Sequence, residues 1–348
     1  MHYHELFMQR CLQLAATGEQ WVAPNPMVGV VVVKQDAIIG EGYHKQFGGP
    51  HAEVNAINAV KDKSLLEGAT IYVSLEPCAH VGKTPPCTNL IIENKIAKVV
   101  IACLDPNPVV AGKGVAQLKQ AGVEVIVGVL EKEAKELNKR FIHFHTYKKP
   151  YVVLKWAQTE DGYIGRLKGS TKSNKITNWY SDAIVHKMRS KQAAILVGYN
   201  TALNDNPQLT TRNWFGKNPI RVIIDLQCSL PQHLKIFTDG MPTFVFTLAP
   251  KQDTQTVSYF KLNNKEDVIT EIFDTLYKKN IQSILVEGGP KTLQMFIDSN
   301  SWCEAHIFTS NFKWQSGLKA PDLFEIVEIN SITNFNDTYK IVKPNLSL

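Results

Sequence analysis

No apolar run in this 348-residue chain approaches the roughly 20 residues that cross a bilayer, which excludes a membrane-spanning helix. The opening residues, Met1-His2-Tyr3-His4-Glu5-Leu6, lack the charged-then-apolar pattern of a secretory leader, so a cytoplasmic location is expected. Repeats and low-complexity tracts are missing as well. The net charge is only +6, and lysines such as Lys61, Lys63, Lys132 and Lys135 alternate with acids on solvated helix faces. That leaves no basic stripe interleaved with aromatics, and argues against a nucleic-acid partner. The six cysteines show no framework spacing, which fits reduced thiols rather than a disulfide scaffold. Glycines at positions one, three and six of a dinucleotide fingerprint are also lacking. With 44% hydrophobic residues burial is ample, and the length favours two domains over one.

What the chain does contain is a metal-ligand pattern. His51-Ala52-Glu53 is followed by Glu76-Pro77-Cys78 and then by Pro86-Cys87. One imidazole and two thiolates hold Zn²⁺ through three protein ligands and leave a fourth position for water, the open arrangement of a catalytic site. Glu53 is not needed as a ligand and suits a proton shuttle. The set matches zinc-dependent base deamination, in which an activated water attacks an amidine-like ring carbon and a glutamate protonates ring nitrogen and departing ammonia. The commonest deaminase signature places two residues between its cysteines. Here eight intervene, including Gly82 and Pro85-Pro86, so the interval reads as a loop that brings two sulfurs to one metal. Pro86 marks a helix start at Cys87, where a thiolate is stabilised by the helix N-terminus. His51 likewise opens a helix over 51–60 after Gly48-Gly49-Pro50. His80, inside the loop, reads as a substrate-facing or solvated side chain rather than a ligand.

Strand and helix patterns alternate along the first part. A helix is expected over 4–17, strands over 28–33 and 37–43 joined as a hairpin, and strands over 70–74, 98–103 and 123–127. Helices follow over 115–120 and, as one charged helix, over 130–145. The alternation implies a largely parallel sheet with helices on both faces. His143 and His145 stand two apart on that last helix and point to different faces, so they read as its solvated end. Tyr147-Lys148-Lys149-Pro150 is the expected boundary, dividing residues 1–147 from 148–348. The second part restarts with a strand over 151–156 and continues as a second α/β domain. Its strands are expected over 193–197, 220–224, 243–247, 281–286 and 305–310, and its helices over 180–191, 266–278 and 292–298.

Val286-Glu287-Gly288-Gly289-Pro290-Lys291-Thr292 follows an apolar strand and opens a helix, where glycines and free N–H groups admit a phosphate. An ordinary strand-to-helix turn reads the same way. Asp205 to Arg212 is a polar loop ending in a guanidinium. Arg212 and Arg189 suit a bidentate grip on phosphate or, equally, structural ion pairs.

These segments together resemble the bacterial bifunctional riboflavin-biosynthesis enzymes, fused pyrimidine deaminase and reductase, over nearly the whole chain. The resemblance rests on Pro24-Asn25-Pro26-Met27-Val28-Gly29, His51-Ala52-Glu53, the stretch 75–87 and Asp105-Pro106-Asn107-Pro108. In the second half it rests on Asp161-Gly162, Ile176-Thr177, the loop 205–212 and Glu287-Gly288-Gly289-Pro290. It implies an α/β protein with a cytidine-deaminase-like α/β/α first domain and a dihydrofolate-reductase-like second domain. The first would deaminate 2,5-diamino-6-ribosylamino-4(3H)-pyrimidinone 5′-phosphate, and the second would reduce ribosyl to ribityl with NADPH. His51, Cys78 and Cys87 would hold zinc, Glu53 would shuttle protons and Asn25 would contact the pyrimidine. Ser173, Arg189, Leu209, Arg212 and Glu287 would contact the phosphoribosyl-pyrimidine. Gln158, Lys175, Thr177, Thr201, Asp205 and the run Gly289, Pro290, Lys291 and Thr292 would face the cofactor, with Asp205 also assisting proton delivery. Lys175 stands where such enzymes often carry tryptophan. A homodimer or higher homo-oligomer is implied too. The alternatives are a nucleoside or RNA deaminase with an accessory domain, which shares the zinc pattern, and a non-catalytic zinc-stabilised protein, which would leave Glu53 without a task.

Overall fold

The computed structural model describes residues 3–79, 85–107, 111–167, 169–171 and 173–345. His80, the Gly82-Lys83-Thr84 part of the loop between the cysteines, and Pro108 therefore lie outside the described residues. The chain divides into two compact units, Met1–Lys148 and Lys149–Leu348.

In the first unit α1 (Tyr3–Ala16) precedes the hairpin β1 (Gly29–Lys34) and β2 (Ala37–Tyr43). Then come α2 (Ala52–Ala59), β3 (Thr70–Val73), α3 (Cys87–Glu93), β4 (Lys98–Ile101), α4 (Lys113–Gln120), β5 (Glu124–Val127), α5 (Glu131–Leu137) and α6 (Lys139–Tyr147). The sheet order is β2-β1-β3-β4-β5. The expected largely parallel sheet is mixed here: β1 is antiparallel to both neighbours, and only the β3–β4 and β4–β5 pairs are parallel. The two turn residues Gln35 and Asp36 both have positive φ, 48° and 62°, the twist that a two-residue hairpin turn requires.

Side-chain alternation on these strands separates two apolar layers. Val30, Val32, Ile71, Val73, Val99 and Ile101 pack under Ala56, Ile57, Ile91 and Leu118 of α2, α3 and α4. Val31, Val33, Tyr72 and Val100 pack under Phe7, Met8 and Cys11 of α1 and Ala134 and Phe141 of α5 and α6. Truncating a side chain such as Ile57 to alanine costs about 2–5 kcal/mol. Gly42 lets α2 close on the sheet, since a Cβ there would lie 2.3 Å from the Ala56 nitrogen. The single helix expected over 130–145 is broken at Asn138. Its buried amide accepts from the Met27 N–H and donates to the Met27 carbonyl, both at 2.8 Å. That long-range pair outweighs helix continuity and ties down the segment that carries Asn25.

The second unit begins with β6 (Tyr151–Gln158) and β7 (Tyr163–Gly165), then α7 (Trp179–Ser190), β8 (Ala194–Gly198), α8 (Tyr199–Asp205), β9 (Ile220–Ile224) and α9 (Lys235–Thr238). It continues through β10 (Thr243–Thr247), β11 (Val257–Lys261), α10 (Val268–Lys278), β12 (Ser283–Val286), α11 (Pro290–Asp298) and β13 (Glu304–Thr309). It ends with β14 (Leu318–Lys319), β15 (Ile326–Asn334) and β16 (Asp337–Pro344). Nine strands form one sheet in the order β11-β10-β9-β8-β12-β6-β13-β16-β15, and β14 pairs with β7 separately. All are parallel up to β13, while β16 and β15 run antiparallel. Cores cover both faces, one around Leu154, Ile284 and Phe296, the other around Val153, Leu285 and Phe308. Strand β8 and strand β12 lie side by side; β8 leads directly into α8, and β12 leads into α11 through Glu287-Gly288-Gly289. In parallel sheets this carboxyl edge is where ligands bind.

Candidate active sites

His51 caps α2, Cys87 is the first residue of α3, and Cys78 lies in the loop leaving β3. The His51 Nδ1 stands 3.3 Å from the Cys87 Sγ and 3.7 Å from the Cys78 Sγ. Ligands placed tetrahedrally at ordinary Zn–N and Zn–S distances sit about 3.6 Å apart, so the set fits a zinc ion. Among the described residues this is the one His/Cys/Asp/Glu group whose ligand atoms converge, all within 4.8 Å. His143 and His145 take no part in it and instead pack against Tyr147 and Phe141.

The first N–H of α3, that of Cys87, donates to the Cys78 sulfur at 3.4 Å. The hydrogen bond from the Cys87 thiol, opposed by burial and helped by His51, brings the Cys78 thiol down to about 4. Cys87 moves the other way, driven by its Cys78 neighbour and by burial. Glu53, in the first turn of α2, is 4% exposed, and burial first, then Cys78, raises its pKa. Glu76 has a supporting task. Its carboxylate accepts from the N–H groups of Gly112 and Val115, at 2.9 and 3.2 Å, and so holds the start of α4 beside the Cys78 loop.

In the second unit the Arg189 guanidinium of α7 meets the Glu287 carboxylate, at the end of β12, through two hydrogen bonds of 2.8 Å. Its third edge donates to the Thr210 carbonyl at 3.1 Å. Lys155 of β6 adds its ammonium 3.8 Å from Glu287. Burial pushes Glu287 up, but Arg189 and Lys155 outweigh it and hold the carboxyl at about 2. Burial lowers Lys155 against the pull of Glu287. The buried His186 is lowered by burial and by Arg189 and Arg212, which puts both arginines within electrostatic reach of one ring.

Comparison with known proteins gives the same division of chemistry. Residues 1–103 match the cytidine and deoxycytidylate deaminase zinc-binding region, and residues 150–310 match the RibD C-terminal domain. The riboflavin biosynthesis protein RibD of Aquifex aeolicus is 42% identical over 325 residues, spanning 91% of this chain and 89% of its own. The chain belongs to the RibD family. The RibD of Bacillus amyloliquefaciens is also 42% identical, over 87% of this chain and 83% of that one. A crystal structure from Thermotoga maritima superposes with a TM-score of 0.89 at 40% identity, covering 99% of each chain. It is described as a diaminohydroxyphosphoribosylaminopyrimidine deaminase/5-amino-6-(5-phosphoribosylamino)uracil reductase. As in that family, a deaminase domain and a reductase domain are both present, and with them the fold expected from the sequence.

Against this RibD frame the residues singled out in the sequence fall into separate groups. His51, Cys78, Cys87 and Glu53 stand together. Asn25 lies nearby through His44, whose ring packs 5.8 Å from that of His51. Arg189 and Glu287 hold each other, so the bidentate edge of Arg189 is engaged, while Arg212 is exposed. Leu209 is buried with φ +56°, a left-handed residue in the loop before Arg212. Thr201, Gly289 and Thr292 meet where β8 and β12 end: a Cβ on Gly289 would lie 3.1 Å from the Thr201 Oγ1, and one on Gly198 2.3 Å from the Thr292 Oγ1. Pro290 and Lys291 open α11 at the same place.

Asp205 ends α8 with an exposed side chain, yet crowding around its carboxyl raises its pKa. Gln158 accepts from the Trp156 indole at 2.8 Å. Ser173, Lys175 and Thr177 lie on the connection to α7. Lys175 pairs with Asp182 at 3.2 Å, and Thr177 reaches the same carboxylate. Among the described residues no hydrogen bond joins those three to Arg189 or Glu287; Asp182 links them only electrostatically. Sequence reading missed His44, Asn138, Asp182, His186 and Lys155. For Lys155 a signal existed, a lone charge in the apolar run Tyr151-Val152-Val153-Leu154.

Among the described residues no helix is long and apolar enough to cross a membrane.

Proposed function

We propose that the first unit deaminates 2,5-diamino-6-ribosylamino-4(3H)-pyrimidinone 5′-phosphate at His51, Cys78, Cys87 and Glu53. On this reading the second unit reduces the ribosyl group of the product around Glu287, Arg189 and the β8–β12 edge. The observation that carries the reading is the convergence of three zinc-type ligand atoms beside a buried, non-ligating glutamate. His51, Cys78 and Cys87 would hold a zinc ion, which would supply the Lewis acidity that activates a water as the nucleophile. Glu53, whose pKa burial raises, takes a proton from the attacking water and delivers it to the ring nitrogen and the leaving amine. Asn25 orients the pyrimidine.

In the second unit NADPH supplies the hydride. Thr201, the Gly289 to Thr292 turn, Lys175, Thr177 and Gln158 would hold the cofactor, with Asp205 beside it. Ser173, Leu209 and Arg212 would place the phosphoribosyl-pyrimidine, and the Arg189–Glu287–Lys155 cluster keeps a fixed arrangement of charge beneath it. The exposed edge strand β15, with Ile326, Val327, Ile329 and Ile332 open to solvent, supports a homodimer, which sedimentation at micromolar concentration checks. A cytoplasmic location completes the proposal and fits the six thiols.

Glu53→Ala tests the first half. Ammonia release should fall by 10²-fold or more while NADPH oxidation with the deaminated substrate and zinc content stay unchanged. Retained deamination would contradict the proton-shuttle role.

A further inference from the structure

His44 follows β2, is 3% exposed, and makes two ring contacts. Its Nδ1 lies 3.0 Å from the Pro50 carbonyl oxygen, and its Nε2 lies 3.0 Å from the Asn25 side-chain amide nitrogen. A carbonyl oxygen only accepts, so Nδ1 must carry the hydrogen. A neutral imidazole then has its lone pair on Nε2. The group facing that lone pair has to be a donor, which fixes the Asn25 amide with its nitrogen toward His44 and its Oδ1 turned away.

The Asn25 backbone is held independently. Asn138 pairs with both polar groups of Met27, and the His44 N–H donates to the Val28 carbonyl at 2.9 Å. What those bonds leave open is a half-turn of the Asn25 amide, which would exchange an acceptor for a donor at the same point. His44 closes that freedom.

We infer that His44 is a positioning residue of the deaminase site, fixing the Asn25 amide so that its oxygen receives an N–H of the bound heterocycle. This deepens the deaminase reading and rests on it. Pro50 immediately precedes the ligand His51, so one imidazole sets both the approach to the metal ligand and the face shown to the base. An amide free to turn would meet a donor or an acceptor equally well; held by His44, it selects a ring or exocyclic N–H where Oδ1 points.

The tautomer is measurable without turnover. In zinc-loaded protein labelled with ¹⁵N-histidine, long-range proton–nitrogen correlations should show His44 protonated on Nδ1 and bare on Nε2, the signal being assigned by its loss in His44→Gln. Protonation on Nε2 alone would overturn the inference. Kinetically, His44→Phe should raise the KM for the pyrimidine phosphate roughly tenfold, the scale of one unpaired hydrogen bond, with zinc content retained. His44→Gln, whose Oε1 can accept in place of Nε2, should recover most of that loss. The double variant with Asn25→Ala should be no worse than Asn25→Ala alone. Multiplying losses, a Gln variant no better than Phe, or loss of zinc in both variants would each refute the idea. Wild-type protein that releases no ammonia would instead sink the deaminase reading and leave the tautomer result standing.

Discussion

Glu287→Gln removes a carboxylate that lies within 4 Å of two buried cations. Arg189 and Lys155 have side chains only 12% and 15% exposed, and Glu287 only 8%. Holding the Glu287 carboxyl at about 2 rather than its ordinary 4.5 corresponds to ~3 kcal/mol in favour of the folded state. Breaking a buried pair by deleting one partner costs about 3–5 kcal/mol, which agrees. For a unit of this size that lowers the melting temperature by about 6–12 °C.

The depressed pKa also sets a sign. The stabilisation is complete above the unfolded pKa and is lost as pH falls from about 5 toward 2, because protonation is easier in the unfolded chain. The assay is urea unfolding followed by tryptophan fluorescence, which reports mainly the second unit because five of the six tryptophans (Trp156, Trp179, Trp214, Trp302 and Trp314) lie there. Wild type should lose stability across that window, and Glu287→Gln should start lower and lose less. A variant within 1 kcal/mol of wild type, with an unchanged acid profile, would refute the electrostatic account of this cluster.

Asn138→Ala leaves the buried Met27 N–H and carbonyl without their partner, so it should cost about 1–3 kcal/mol in the first unit and raise the KM for deamination. Calorimetry of the first unit's transition together with ammonia kinetics checks this. Lys155→Met removes one of the cations that depress Glu287; the acid-induced loss of stability should then start at the same pH as in wild type, be smaller in total and be complete at a higher pH, as read by the same urea series. Chelation should stop ammonia release and leave NADPH oxidation intact. In the stripped protein Cys78, held at about 4, should alkylate at pH 6, whereas the buried Cys103, pushed up to about 12, should not; peptide mass spectrometry distinguishes them.

The zinc-type site was legible because its chemistry is carried by residue types that have few other reasons to coincide, and because Gly48-Gly49-Pro50 and Pro86 announce the helices that present His51 and Cys87. The strand patterns were legible where β-branched runs are buried on both faces, as at Val30 to Val33. What escaped depends on distance. Asn138 breaks a helix only because Met27, 111 positions earlier, supplies a better partner. His44 looks like any loop histidine until Pro50 and Asn25 are placed against its two nitrogens. Strand β15 is exposed along almost its whole length, its apolar residues included, so no buried face marks the hairpin of β15 and β16 in the sequence. Helix α8 is built from Tyr199-Asn200-Thr201-Ala202-Leu203-Asn204-Asp205, mostly poor helix formers, and starts directly at the end of β8 with Gly198 as its cap.

The central claim, two chemistries in one chain, is tested most directly by supplying the diaminopyrimidinone phosphate to zinc-loaded protein and following ammonia and the absorbance of NADPH in parallel. The account predicts ammonia release without NADPH, and NADPH oxidation that begins only as deaminated product accumulates. Folded, zinc-bound protein that yields neither signal would contradict it.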